Sequence, residues 1–241
     1  MKNVFSVKVL AEVAIFAAIA FALDLIQDSF FGKIWVNGGS IGIAMVPIFV
    51  IAYRRGLIPG ILCGLIVSVV QMLGGVYVFQ GKTFDNSFMK VMGPFFQIML
   101  DYVLAYTVVG FAGAFARLYH KSQKKSSKII FIILGCVLGG TLKFLCHFFA
   151  GGFFWLDGYS KFGRFVSDSW MYTFVYNVTY SIPCIILSTA IMVIICLTYP
   201  DLLVAKDLNK EEADFKENIS NNNSKLESVQ AIKVEDNHEQ D

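Results

Sequence analysis

Few residues in this chain could do chemistry, and several of them fall in one apolar run. Between Lys143 and Trp155 the sequence reads Lys-Phe-Leu-Cys-His-Phe-Phe-Ala-Gly-Gly-Phe-Phe-Trp. It carries an ammonium, an imidazole and an indole separated by small or apolar residues. On a helix, Lys143, His147 and Gly151 stand at i, i+4 and i+8 and share a face. A lysine inside a hydrophobic span is costly and normally turns toward protein, a partner charge or a water-filled cavity. The stretch reads as one wall of a ligand pocket inside a membrane protein.

Asp101, next to Tyr102, is the second ionisable group placed inside an apolar run. Two readings of it are open. It could form an ion pair with Lys143 that only locks two helices, or it could face a cationic or amine-bearing ligand. Lys143 either lines that pocket or snorkels outward, and His147 is either a pocket group or an interfacial histidine held by a hydrogen bond. Trp170 fits an aromatic belt at the membrane surface. Trp35 and Trp155 adjoin glycine-containing loops, where flat indoles suit a lid over a heteroaromatic or cationic ring. Further on, Tyr172, Tyr176 and Tyr180 form a helical stripe, and Asn177 is costly in lipid and should face the bundle. Tyr172 and Asn177 lie about 140° apart on an ideal helix, so one pocket reaches both only if it is broad or the helix distorted.

The composition says what kind of body must hold these groups. Of 241 residues 56% are apolar and 15% aromatic, and only 16% are charged, against roughly 25% in soluble domains. Several apolar runs are long enough to span a bilayer, so the chain belongs with all-α, multi-pass membrane proteins. The net charge of +2 hides an asymmetry: from Asp201 onward 11 acids face 5 lysines, leaving the tail near −6 and the rest near +8. That split concerns topology and is no nucleic-acid footprint. Five cysteines, all in apolar segments and without a CxxC pair, argue against a disulfide framework or a zinc site. Residues 1–23 have the look of a leader, with Lys2 and Lys8 before an apolar core, but a retained first helix is the reading taken.

Six spans are expected: about 7–26, 41–53 (with a kink or tilt at Pro47), 57–73, 90–119, 129–150 and 169–197. Residues 28–40, 74–86 and 151–168 are expected to be loops. They define a transmembrane substrate-binding domain over 1–200 and an acidic, disordered cytoplasmic tail over 201–241. In the first span Ala14, Ala18 and Ala22 form a small-residue stripe that lets another helix approach closely, or reflect no more than alanine's helix preference. With the N-terminus inside, the inner segments collect Lys2, Lys8, Arg54, Arg55, Arg117, Lys121, Lys124, Lys125 and Lys128. The outer ones hold only Lys33, Lys82, Lys90, Lys161 and Arg164. The basic bias therefore puts both termini in the cytoplasm, the polar groups in the outer half of the bilayer, and the pocket mouth outside.

No GxxxxGK[ST] loop, GxSxG elbow or HExxH pair is present, so active transport would draw its energy from a partner or an ion gradient. The order of the motifs carries a resemblance. Six spans with the alanine stripe, Trp35-Val-Asn-Gly-Gly-Ser, Gln97-Ile-Met-Leu-Asp101-Tyr102, Lys143-x3-His147-x3-Gly151-x3-Trp155 and Tyr172-x4-Asn177 resemble the thiamine-specific S components (the ThiT family) of energy-coupling factor (ECF) transporters, over about residues 7–198.

The resemblance implies an ECF S-component bundle that captures thiamine from the extracellular side, with no catalysis and no cofactor of its own. Its partners would be the lipid bilayer, the transmembrane coupling protein EcfT, docked on Ala14, Ala18 and Ala22, and the ATPases EcfA and EcfA'. Trp35 and Trp155 would be lid and stacking partners, and Asp101 would take the family's acidic position beside Tyr102. Lys143, His147, Gly151, Tyr172 and Asn177 would complete the site. The shorter aspartate, where some members have glutamate, leaves its contact open. Other readings are an S component for riboflavin or for the thiamine precursor hydroxymethylpyrimidine, and an intramembrane enzyme using His147 and Asp101 as base and acid.

Overall fold

The computed structural model describes residues 6–32, 34–35, 38–78, 86–155 and 169–205. Lys2, Lys33, Asn37, Lys82, Lys161, Arg164, most of the 151–168 loop and the tail from 206 lie outside the described residues. Among the described residues six helical rods follow one another: α1 (Val7–Phe31), α2 (Met45–Arg55), α3 (Leu57–Leu73), α4 (Ser87–Lys121), α5 (Lys125–Phe154) and α6 (Ser169–Thr198). Four of them, α1, α4, α5 and α6, are long and apolar enough to cross a membrane, because 25 residues already extend ~37 Å against a ~30 Å hydrocarbon core. Their outward faces carry exposed Ile, Leu, Val and Phe, as a lipid-facing surface requires.

Helix α1 starts at Ser6, whose hydroxyl accepts from the Val9 amide at 3.4 Å, an ordinary N-cap. It runs five residues beyond the expected end at residue 26, so Asp28, expected in the loop, is helical. The strong apolar periodicity ends near Ile26, yet nothing breaks the helix until Gly32. Val9, Val13, Ala17, Ala20 and Asp24 make its buried face, whereas Ala14, Ala18 and Ala22 all lie on the exposed one.

Helix α2 starts at Met45, four residues later than expected, and Pro47 falls in its first turn without kinking it. An amide missing there has no intrahelical partner to lose. All nine residues from Met45 to Tyr53 are buried, because α1, α3, α4 and α6 surround them. Eleven residues reach only ~16 Å, so α2 is an internal strut rather than a full span. Gly56, with φ 97°, makes the reversal into α3, a conformation that suits glycine. At that turn Arg54 and Arg55 both bind Glu12 of α1, at 2.9 and 2.7 Å to Oε2, and Arg54 donates to the Asp201 and Leu202 carbonyls at 3.3 Å. Residues 200–203, expected partly as tail, are a 3₁₀ turn with Leu203 buried.

Helix α4 is irregular where it matters. Pro94 lies inside it, the π segment Met99–Leu104 follows, and Val108–Phe115 is 3₁₀. A widened turn weakens the helical hydrogen-bond ladder, and a carbonyl facing hydrocarbon must find another donor. The Val103 carbonyl finds two: Ser68 of α3 at 2.9 Å and Thr107 at 2.6 Å. Below it, the 3₁₀ stretch is pressed between glycines of its neighbours. A Cβ on Gly110 would collide with the Gly60–Ile61 backbone of α3, and one on Gly139 of α5 would come within 2.6 Å of the Val109 carbonyl. Gly110→Ala should therefore lower the thermal midpoint of the detergent-solubilised protein, consistent with an overpacking cost of about 1–3 kcal/mol. An unchanged melting curve would contradict so close an approach.

Candidate functional site

The far ends of α1, α3 and α5 meet the beginnings of α2 and α6 and the middle of α4. Together they enclose a cavity of about 680 Å³, within the range of small-molecule sites. Glu12, Arg54, Arg55 and the basic α4–α5 connection lie at the opposite end of the bundle.

From α5, Lys143, His147, Gly151 and Trp155 all line the cavity, as one face of a helix predicts. Gly151 is small because α6 passes there: a Cβ would stand 2.7 Å from the Thr173 methyl. Trp155 caps the helix, its amide donating to the Gly151 carbonyl at 3.2 Å, and its indole turns back across the site.

Asp101 and Tyr102 come from the π segment of α4 and both reach the cavity. Asp101 accepts from Trp155 Nε1 at 2.7 Å, and its other oxygen lies 3.2 Å from His147 Nδ1. The ion pair with Lys143 is not what forms. Both groups share the cavity, but the Lys143 ammonium lies 3.6 Å from the centre of the Tyr106 ring. The carboxylates acting on it electrostatically are Asp24 and Asp28. Asp101 stands on the π segment of α4 and meets His147 and Trp155, about one and three turns beyond Lys143 toward the end of α5. Tyr102 takes up the loop after α3: its hydroxyl accepts from the Tyr77 amide at 3.0 Å. Gln97 donates to the Tyr77 carbonyl at 3.3 Å. So held, the Tyr77 ring stacks on Trp155 with centroids 5.3 Å apart and planes 17° apart.

Helix α6 supplies Tyr172, Thr173, Tyr176, Asn177, Tyr180 and Ser181. Tyr172 and Asn177 both reach the cavity because it is broad enough to span that arc. Asn177 is buried, donates to the Thr173 carbonyl at 2.9 Å and accepts from the Tyr180 hydroxyl. Tyr172 stacks on Tyr176, whose hydroxyl donates to the Gly38 carbonyl at 2.7 Å. Trp35 is set apart: it is not on the cavity wall. Its Nε1 donates to Thr179 at 2.8 Å and its ring meets the edge of Tyr180, so it backs a wall residue. Trp170 packs among Phe148, Phe149 and Phe153 on the outside of the bundle, as an aromatic-belt residue does.

Several lining residues escaped the sequence reading. Asp24 is only 3% exposed and accepts from Gln27 at 2.7 Å, from Tyr106 at 2.5 Å and from Gln71. A carboxylate in the first span was a signal as strong as Asp101. Gln71 and Tyr77 gave none, since a polar residue at a helix end and a tyrosine in a loop are common. Cys184, expected to be packing alone, accepts from the Gly42 amide and donates to the Ser40 carbonyl, both at 3.3 Å, at the cavity edge. Among the described lining residues three carboxylates, Asp24, Asp28 and Asp101, face a single ammonium, Lys143. The wall is thus anionic, aromatic and polar at once, which suits a flat organic cation. Among the described residues no group of three metal-ligand side chains comes together.

Comparison with known proteins agrees with this architecture. The family model described as "Thiamine transporter protein (Thia_YuaJ)" matches residues 10–204. A relative from Bacillus subtilis (strain 168), "Thiamine transporter ThiT", is 29% identical over 197 residues, covering 80% of this chain and 93% of its own. Another protein of that name, from Lacticaseibacillus paracasei, is 29% identical over 206 residues, covering 83% and 92%. A solved structure of ThiT from Listeria monocytogenes superposes with a TM-score of 0.64 at 24% identity, over 82% of this chain and 97% of that one, and so shares the fold. With the family match extending from the first helix to the last turn, this chain belongs to the thiamine transporter protein family.

Proposed function

We propose that this protein is the thiamine-capturing S component of an ECF-type importer. The observation that carries the proposal is the anionic aromatic clamp: Asp101 held by Trp155 and His147, with Tyr77 stacked on the indole. Thiamine has a permanently cationic thiazolium, an aminopyrimidine and a hydroxyethyl tail. Desolvated aromatic faces attract a flat cation by about 2 kcal/mol. A carboxylate balances its charge or accepts from its amino group. Asn177, Tyr172 and His147 offer donors and acceptors for the remaining polar edges. The relatives' printed names support thiamine over riboflavin or hydroxymethylpyrimidine. They also support a binding and transport role over the intramembrane enzyme.

In this reading the cavity opens to the outside. Its support is the charge distribution, with Lys8, Arg54, Arg55, Arg117, Lys121, Lys124, Lys125 and Lys128 at the opposite end of the bundle. Both termini are then cytoplasmic, and the acidic segment after the 3₁₀ turn is a cytoplasmic tail. ATP is hydrolysed by EcfA and EcfA', and EcfT docks on α1. Support for that docking is the exposed stripe of Ala14, Ala18 and Ala22, whose methyls let another helix approach between the exposed Ile15 and Ile19 and their neighbours.

The deciding experiment titrates the purified protein with thiamine, riboflavin and hydroxymethylpyrimidine while tryptophan emission is followed. Saturable quenching by thiamine at the lowest concentration is expected. A response to riboflavin alone, or recovery of chemically altered ligand, overturns the proposal. Ala18→Trp should leave that titration unchanged but abolish co-purification with a tagged coupling protein. Retained co-purification would remove the docking face from α1.

A further inference from the structure

We infer that Asp24, a residue of the first helix, is a positioning residue of the binding site: it seats Lys143 on the cavity floor through Tyr106. This rests on the reading of the cavity as a thiamine site but concerns a part of it that the Asp101 clamp does not touch.

Asp24 is the node at which four helices meet. Its Oδ1 accepts from Gln27 Nε2 at 2.7 Å and from the Tyr106 hydroxyl at 2.5 Å, and its Oδ2 from Gln71 Nε2. Those donors stand on α1, α4 and α3, and Gln27 in turn accepts from the Ala44 amide at the start of α2. Buried carboxylates need such donors, and three of them hold this one at a fixed place in the floor. Over the ring of that same Tyr106 lies the Lys143 ammonium, 3.6 Å from the centroid.

The two contacts reinforce each other. A phenol donating to a carboxylate becomes richer in electrons, and a richer ring face attracts an ammonium more strongly. The Asp24 charge acts directly on Lys143 as well. No other ion pair or hydrogen bond holds the Lys143 ammonium among the described residues, so the ring of Tyr106 and the fields of Asp24 and Asp28 are what keep it in place. Asp28 also lines the cavity and is exposed. Asp24 is therefore the one of the two fixed within the packed structure. Without it, Tyr106 keeps its ring but loses its anchor, and the ammonium is free to move into the space the ligand occupies.

The test uses the full-length protein in detergent and two readouts. Asp24→Asn should weaken thiamine binding about tenfold or more in a calorimetric titration, and Tyr106→Phe, which retains the ring, by several-fold. In a Lys143→Met background, Asp24→Asn should have little further effect, because the group it positions is gone. An equal loss in both backgrounds overturns the inference in favour of a merely structural role. The second readout needs no ligand: amine-directed acetylation of Lys143, followed by mass spectrometry, should be faster in Asp24→Asn and in Tyr106→Phe than in the wild type. Equal labelling in wild type and Tyr106→Phe overturns the inference even if Asp24→Asn fails to fold. A wild type that ignores thiamine but shows the labelling difference would sink the functional proposal and leave this one standing.

Discussion

Asp101→Asn is expected to lower the affinity for thiamine about 100-fold, a loss of about 3 kcal/mol, while the thermal midpoint of the unliganded protein should stay close to that of the wild type. The magnitude follows from what the carboxylate does. It accepts the Trp155 indole at 2.7 Å and lies 3.2 Å from His147. Hydrogen bonds to a charged group contribute about 1.5–3 kcal/mol, more than neutral ones. Asparagine keeps one acceptor, so the indole can stay in place, but its amide presents a donor where His147 or the ligand requires an acceptor. It also removes the negative charge that a thiazolium would feel at short range in a low-dielectric site. Calorimetric titration decides the matter. An affinity within threefold of the wild type would mean that Asp101 orients Trp155 without meeting the ligand's charge.

Trp155→Ala should have an effect as large or larger, two to three orders of magnitude in affinity, and should also abolish the quenching. The indole has two tasks: it donates to Asp101, and it forms a stacked wall with Tyr77. Truncation loses the face available to the ligand, about 1–2 kcal/mol for a desolvated cation, together with a hydrogen bond to a carboxylate. It also leaves Tyr77 without the partner that flattens it against the site. The chain has three tryptophans. Trp35 is hydrogen-bonded behind Tyr180 and Trp170 packs with phenylalanines on the outside, so neither should report binding strongly. Undiminished quenching in Trp155→Ala would transfer the reporter role to Trp35 and with it the position of the ligand.

Composition and spacing sufficed for much of this. Apolar runs of spanning length can satisfy their backbone groups in lipid only as helices, so six helices and their approximate limits followed from the residues, α3 to the residue. The i, i+4 recurrence of Lys143, His147 and Gly151, extended to Trp155, needed no tertiary information to predict one face. The same holds for Asp101 facing inward, since an ionised group in a span must leave the lipid.

What the spacing could not determine was which polar groups would meet. Asp101 and Lys143 were natural partners by charge. Yet Asp101, on the π segment of α4, meets Trp155 and His147, and Asp24 of the first span lies with Tyr106 and Lys143 at the floor. Helical periodicity assumes a uniform turn, and a widened turn shifts every later residue on the rod. Trp35 behind Tyr180, and Tyr77 stacked on Trp155, could not be foreseen for a related reason: loop side chains are positioned by contacts from distant helices, Thr179 for one and Tyr102 with Gln97 for the other. The sequence by itself therefore determined the helices and which residues could not face lipid, because both are consequences of the solvent. Only the tertiary structure decided the pairing of those residues, because pairing depends on the irregular turns and loop anchors through which one helix meets another.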